Sequence, residues 1–262
     1  MDLDRTLVQI RERSFLGLLD LALVVVRRRP VALGLAAAGG VAPWLVLNDY
    51  LVADAAEMAP VLLLWLIALE APLATAPLTV LLGGLMFGER PGVGRILGTV
   101  ARALPALLLF QGLVRGVLVL IWFLSPVIPA RLGFLGEVIL LERGRWASAL
   151  RRSGVLSGDR GGELFGRWLA QVAFGALFVA AFWIASRTAR EMLTGGELTW
   201  DEPEWTALAG LRTQVGVWIA VAFFTVVRFL TYIDQRIRLE GWEVELRLRA
   251  AGAAMREDSE RW

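Results

Sequence analysis

Long apolar runs, more than strict alternation or a narrow helical stripe, set the pattern of this chain. Six stretches approach the roughly 20 mostly apolar residues that a helix needs to cross a bilayer. They are 31–51, opened by Pro30; 59–87, interrupted by Pro72 and Pro77; 103–124, with Pro105 in its first turn; 127–142; 165–186; and 213–234. The pattern predicts an all-α fold, a polytopic transmembrane helical bundle of about six spans in three hairpins. The segment 127–142 is the shortest, and it also fits a half-span or re-entrant piece packed inside protein, which is where a short segment is tolerated. Residues 1–254 are expected to form a single integral-membrane domain, because no polar linker splits them and the soluble parts are too short for a core of their own. Residues 255–262 are expected to fray.

Arginine placement orients the bundle through the positive-inside rule. With the N-terminus inside, the cytoplasmic segments carry Arg27, Arg28 and Arg29, then Arg90, Arg95 and Arg102, then Arg151 and Arg152, and finally Arg236 and Arg238. The external connections carry fewer arginines, Arg131, Arg187, Arg190 and Arg212, and are acidic: Asp49, Asp54 and Glu57 in the first, and Glu191, Glu197, Asp201, Glu202 and Glu204 in the last. Both termini are therefore expected in the cytoplasm, as in a multi-pass protein of the bacterial inner membrane. Arg27, Arg28, Arg29, Arg151, Arg152, Arg236 and Arg238 read as inner-interface anchors facing anionic headgroups. The apolar stretch 16–26 carries Asp20 and precedes its arginines, the reverse of a signal peptide, and reads as an interfacial helix ending at Pro30.

Three short Arg-bearing amphipathic stretches, 4–28, 92–102 and 143–153, each precede an outward span. They suggest cytoplasmic interfacial helices and a threefold repeat of helix plus hairpin; any short basic loop gives a similar look. In the tail, Asp234–Arg238, Glu243–Arg247 and Glu245–Arg249 are acid-before-Arg pairs at i,i+4, which favours a helix continuing from the last span with a break or bend near Gly241. Trp122, Trp183 and Trp218 fall at the expected outer interface, and Trp146, Trp168, Tyr232 and Trp242 at the inner one.

Polar residues inside the spans carry the candidate chemistry. Counting 1.5 Å per residue places Glu70, Arg115 and Glu137 near the midplane, where an unpaired charge costs at least about 2.5–3.5 kcal/mol. Arg115 is expected to face Glu70, Glu137 or both, since its fork of donors suits two carboxylates. Gln111 lies four residues earlier on the same helix face and completes the cluster. Such a cluster is either a proton or substrate site or a buried ion pair that fixes helix packing. Arg228 is expected to snorkel to the inner interface. Gly39-Gly40 and Gly83-Gly84 suit close helix packing, and Pro72 and Pro77 mark either a kink or an unwound transporter-type site.

Composition narrows the function. Of 262 residues, 57% are hydrophobic and 20% charged, which excludes a disordered tail and disfavours an ordinary soluble enzyme. There is no Cys and no His, and all 27 basic residues are Arg. Thiolate nucleophiles, the commonest general base and metal ligand, and lysine Schiff-base chemistry are thus absent. No catalytic residue, metal site or cofactor is expected, and nucleic-acid binding is disfavoured because the basic charge sits at the lipid interface.

Three stretches carry a family resemblance: Glu137-Val138-Ile139-Leu140-Leu141-Glu142, Ala149-Leu150-Arg151-Arg152-Ser153, and Tyr232 through Gly241. Over roughly 130–250 the chain resembles bacterial polytopic membrane proteins related to the membrane domain of glycerophosphodiester phosphodiesterases. The resemblance implies a multi-span membrane module. It also implies no phosphodiesterase activity, since in that family catalysis belongs to a separate soluble domain with His and acidic residues. Such modules are expected to serve as membrane partners of other subunits. The reading is therefore a non-enzymatic scaffold or partner subunit, with a protein partner met at the loop from Gly195 to Trp205 or at the cytoplasmic helices. The alternative is a small-solute or ion transporter or channel using Glu70, Arg115 and Glu137. Pairing between Arg151-Arg152-Ser153 and the Tyr232–Gly241 stretch is expected to be structural.

Overall fold

The computed structural model describes residues 14–86, 88–120, 127–144, 146–195 and 205–259, and every regular element among them is helical. Five helical stretches are long and apolar enough to cross a membrane: Pro30–Val52, Ala56–Met86, Val93–Val117, Gly161–Thr194 and Leu211–Leu239. The helices are α1 (Phe15–Arg28), α2 (Pro30–Val52), α3 (Ala59–Ala74), α4 (Ala76–Met86) and α5 (Val93–Leu107). After a π-helical turn, Leu108–Val114, come α6 (Arg115–Leu120), α7 (Val127–Arg131), α8 (Leu135–Leu141), α9 (Trp146–Ser157), α10 (Gly161–Thr194) and α11 (Leu211–Ser259).

The expected segment 127–142 is not one spanning helix. It is divided into α7, of 5 residues, and α8, of 7. α7 starts two residues before Pro129, which can sit only in a first turn without breaking a helix, and Gly133 follows the end of α7. α8 is nonetheless the most deeply enclosed element, with Leu135 through Leu140 all buried. A seven-residue helix walled in on every side is the protein-packed case that a short segment requires.

The amphipathic stretches fare differently from one another. α1 is a separate helix, capped by the Ser14 side chain, which accepts from the Gly17 N–H, and it ends at the residue pair before Pro30. α9 is also separate. The stretch 92–102 is not: α5 runs unbroken from Val93 to Leu107 and belongs to a spanning stretch. Only two of the three expected interfacial helices exist as distinct elements. The tail also departs from expectation. α11 passes through Gly241 without a break and is assigned as one helix to Ser259.

The second span is kinked rather than unwound. α3 and α4 are separated by the single residue Thr75, whose N–H and hydroxyl both reach the Ala71 carbonyl, at 3.0 and 2.7 Å. Pro77 has no N–H to give and its ring crowds the carbonyl four residues back. Thr79 restores the ladder onto the Thr75 carbonyl. α2 packs into this kink through Gly40: a Cβ there would collide with the Ala74 carbonyl and press on Pro77. Gly83 similarly faces Leu141, and Gly84 faces Pro91.

Two apolar cores result. The larger gathers α1, α4, α5, α8, α9 and the adjoining parts of α10 and α11 toward the end that carries Arg27–Arg29 and Arg151. The smaller joins α2, α3 and α11 toward the opposite end. α10 stands apart: over its most apolar 18-residue window no residue is buried inside the protein.

Candidate functional site

The intramembrane charges do not form the expected single cluster. Glu70, on α3, is buried and its Oε2 accepts from Nδ2 of the buried Asn48, on α2, at 2.9 Å. Glu137, on α8, has a fully enclosed side chain, and its Oε1 accepts from Nε of Arg228, on α11, at 2.6 Å. Arg115 forms no ion pair with Glu70 or Glu137; its Nε is enclosed without a hydrogen-bond partner. The pairing of Arg115 with either carboxylate is thus corrected. The Gln111 side chain lies outside the described residues. Its backbone belongs to the π turn, where hydrogen bonds span five residues rather than four, so the ordinary helical spacing to Arg115 does not apply.

Arg228 is corrected as well. It does not snorkel to the interface but points inward at Glu137, which its position alone could not reveal because the partner lies 91 residues away. Asn48 was legible only as an isolated polar residue in an apolar run.

A second polar constellation lies one helical turn further along α11. Glu142, just past α8, accepts from Tyr232 Oη at 2.7 Å, and from Arg152 Nε and Nη2 at 2.9 and 3.4 Å. Burial works against ionisation of Glu142, but the hydrogen bonds from Arg152 and Tyr232, with the charges of Arg152 and Arg236, outweigh it and hold the carboxyl below its ordinary range. Ser153 Oγ donates to the Arg131 carbonyl at 2.9 Å, fastening α9 to the end of α7. Residues of the stretches Glu137–Glu142, Ala149–Ser153 and Tyr232–Gly241 therefore meet at one place, with Glu142 as the hub.

The arginines expected to anchor the interface divide into two groups. Arg27, Arg28, Arg29 and Arg151 are exposed. Arg152 is held by Glu142, and Arg238 by Asp234 at 3.0 Å. Arg236 sits beside Glu142 and Tyr232. Tyr232 and Trp218 are core residues, 0% and 2% exposed, rather than members of an aromatic belt. Trp183 lies beneath the guanidinium groups of Arg187 and Arg212, at 5.6 and 5.8 Å. The 195–205 loop lies outside the described residues apart from its ends, as do Trp122 and the side chains of Trp146 and Trp242.

Arg115 and Arg228 share a different feature, a cleft of about 900 Å³ between α10, α11, α3 and the α7–α8 turn. Its walls are mostly apolar, and among its described lining residues there is no acid. Among the described residues no group of three or more His, Cys, Asp or Glu is placed to hold a metal.

The architecture is thus that of an all-α protein with helices of membrane-spanning length. No family model, curated protein or solved structure matches the chain.

Proposed function

We propose that the chain is a non-enzymatic integral membrane protein, a scaffold or partner subunit of a membrane complex. The observation that carries this reading is the disposal of the intramembrane charges. Each carboxylate is taken up by a neighbouring helix, Glu70 by Asn48 and Glu137 by Arg228, and among the described residues no hydrogen bond joins the two pairs. Proton or cation conduction is served by carboxylates along a cavity; the cleft beside Arg228 has no acid among its described lining residues, and the two carboxylates are engaged in pairs that fix which helices meet. The lack of His, Cys and Lys supports the non-enzymatic half of the reading.

The proposed topology has both termini in the cytoplasm of a bacterial inner membrane. Five long helices alone would put the termini on opposite sides, so the chain from α6 to α9 must make the sixth passage, with α7 and α8 sheltered by protein. The resemblance of the Glu137–Glu142, Ala149–Ser153 and Tyr232–Gly241 stretches to the phosphodiesterase-associated membrane module fits a subunit that works beside another protein.

Reconstitution tests the choice between scaffold and transporter. Proteoliposomes carrying the intact chain under proton, sodium and potassium gradients are expected to leak no faster than empty vesicles. Detergent-free extraction is expected to give a particle larger than one chain. A gradient-driven flux abolished by Glu137→Gln in a folded variant would replace the scaffold with the transporter.

A further inference from the structure

α10 presents one continuous stripe to the cleft, from Leu164 to Ile184 at spacings of three and four residues. At 1.5 Å per residue this stripe is about 30 Å long, the thickness of the hydrocarbon core. Its two ends differ. From Val172 to Ala180 the lining is apolar, and Gly175, Ala176 and Ala180 keep the wall thin. Toward the arginine-rich end it turns polar, with Arg167 and Gln171 on α10 and Arg228 and Thr231 on α11.

The helix register brings the basic groups together. Gly175 lies against Phe224, and Gly216 against Phe182, so α10 and α11 run antiparallel with Arg228 level with Gln171. Arg167 is then four residues, about 6 Å, from Arg228 along the bundle axis. Arg115 lies close enough to Arg228 for the two charges to repel. Arg167 donates Nη2 to Glu163 at 2.6 Å, yet its Nη1 is enclosed with no partner, and its side chain is only 10% exposed. Arg115 Nε is likewise enclosed and unpartnered. Three guanidinium groups face the cleft against two carboxylates, Glu163 and Glu137, and neither carboxylate is among the described lining residues.

We propose that this cleft binds a membrane lipid with an anionic phosphodiester head, the head held by Arg115, Arg167 and Arg228 and an acyl chain laid along Val172–Ala180. Charge and shape agree in direction. The polar part of the cleft lies on the Leu164 side of the stripe, nearer the basic end of the bundle, and the apolar part crosses the midplane, so the head is drawn about 10 Å into the hydrocarbon core from that end. A neutral zwitterionic lipid would fill the groove but leave the excess positive charge unmatched. A phosphodiester supplies one negative charge and acceptor oxygens for the two open N–H groups. The inference goes beyond the scaffold reading and needs no partner protein.

The test is native mass spectrometry of the full chain, delipidated in neutral detergent and titrated with phosphatidylglycerol, phosphatidylcholine or inorganic phosphate. One phosphatidylglycerol per chain is expected to be retained in preference to phosphatidylcholine. Arg115→Gln is expected to weaken that preference about fivefold, the worth of one basic residue against an anionic lipid. Ala180→Phe, which fills the groove and leaves every charge in place, is expected to abolish retention of both lipids while the melting temperature holds. Equal retention of the two lipids, a preference unchanged in both variants, displacement by millimolar phosphate, or a co-purifying helix of another protein that blocks lipid would overturn the proposal. The readout is independent of ion flux, so a conducting chain that still selects the anionic lipid would end the scaffold reading and leave this one standing.

Discussion

At the scale of single residues, the buried polar groups hold one helix to another. Asn48 is the only side chain among the described residues that donates to Glu70. Asn48→Leu removes that donor and leaves a buried carboxyl without it, at a cost of about 1–3 kcal/mol, read as a lower melting temperature in detergent; an unchanged temperature would mean that Glu70 reaches another donor. Glu142 gives a pH-dependent counterpart. Its folded carboxyl titrates below the ordinary 4.5, so its pairing stabilises fully above that value and is lost as pH falls from there through the folded pKa. Between about pH 7 and about pH 4, Glu142→Gln is expected to show a shallower loss of melting temperature than the parent; parallel curves would remove Glu142 from the account. The sequence exposed these residues as polar positions in apolar surroundings. It did not reveal their partners, because Arg228 and Glu137 are brought together by tertiary packing across 91 residues, and local periodicity carries no such information.

At the scale of elements, the chain's pattern was most readable where helices are long and uniform. α2, α10 and the first part of α11 lie where the apolar runs 31–51, 165–186 and 213–234 put them. It was least readable where backbone chemistry intervenes. Pro129 and Gly133 divide one apolar run into α7 and α8, and a π turn between α5 and α6 shifts the register before Arg115. Arg143 ends α8 in the left-handed region, φ 54°, where glycine is the usual residue. Glycine itself matters at the kink of the second span. Gly40→Ala drives a methyl into the Ala74 carbonyl, which is backbone and cannot swing away. A loss of about 1–3 kcal/mol is expected, measured by thermal unfolding, with Gly39→Ala as the control because a Cβ there meets nothing. Equal effects at the two positions would contradict the close approach of α2 to the kink.

At the scale of the whole molecule, the distribution of charge and apolar surface organises the parts. One apolar core gathers the helices around α8 and the other joins α2, α3 and α11, and α10 leaves a lateral cleft. That arrangement suits a protein that offers surfaces to lipid and to other membrane proteins. Its central requirement is that the intramembrane charges bind helices to each other instead of serving a solute. The most direct measurement is a double-mutant cycle on Glu137 and Arg228, with Glu137→Gln, Arg228→Gln and the double variant compared by thermal unfolding in one detergent. Arg228→Gln strands the enclosed Glu137 and is expected to cost about 3–5 kcal/mol, Glu137→Gln leaves the half-buried Arg228 facing the cleft and is expected to cost less, and the double variant loses far less than the sum. Single variants that are as stable as the parent, or losses that simply add, would contradict the pair and with it the account of this bundle.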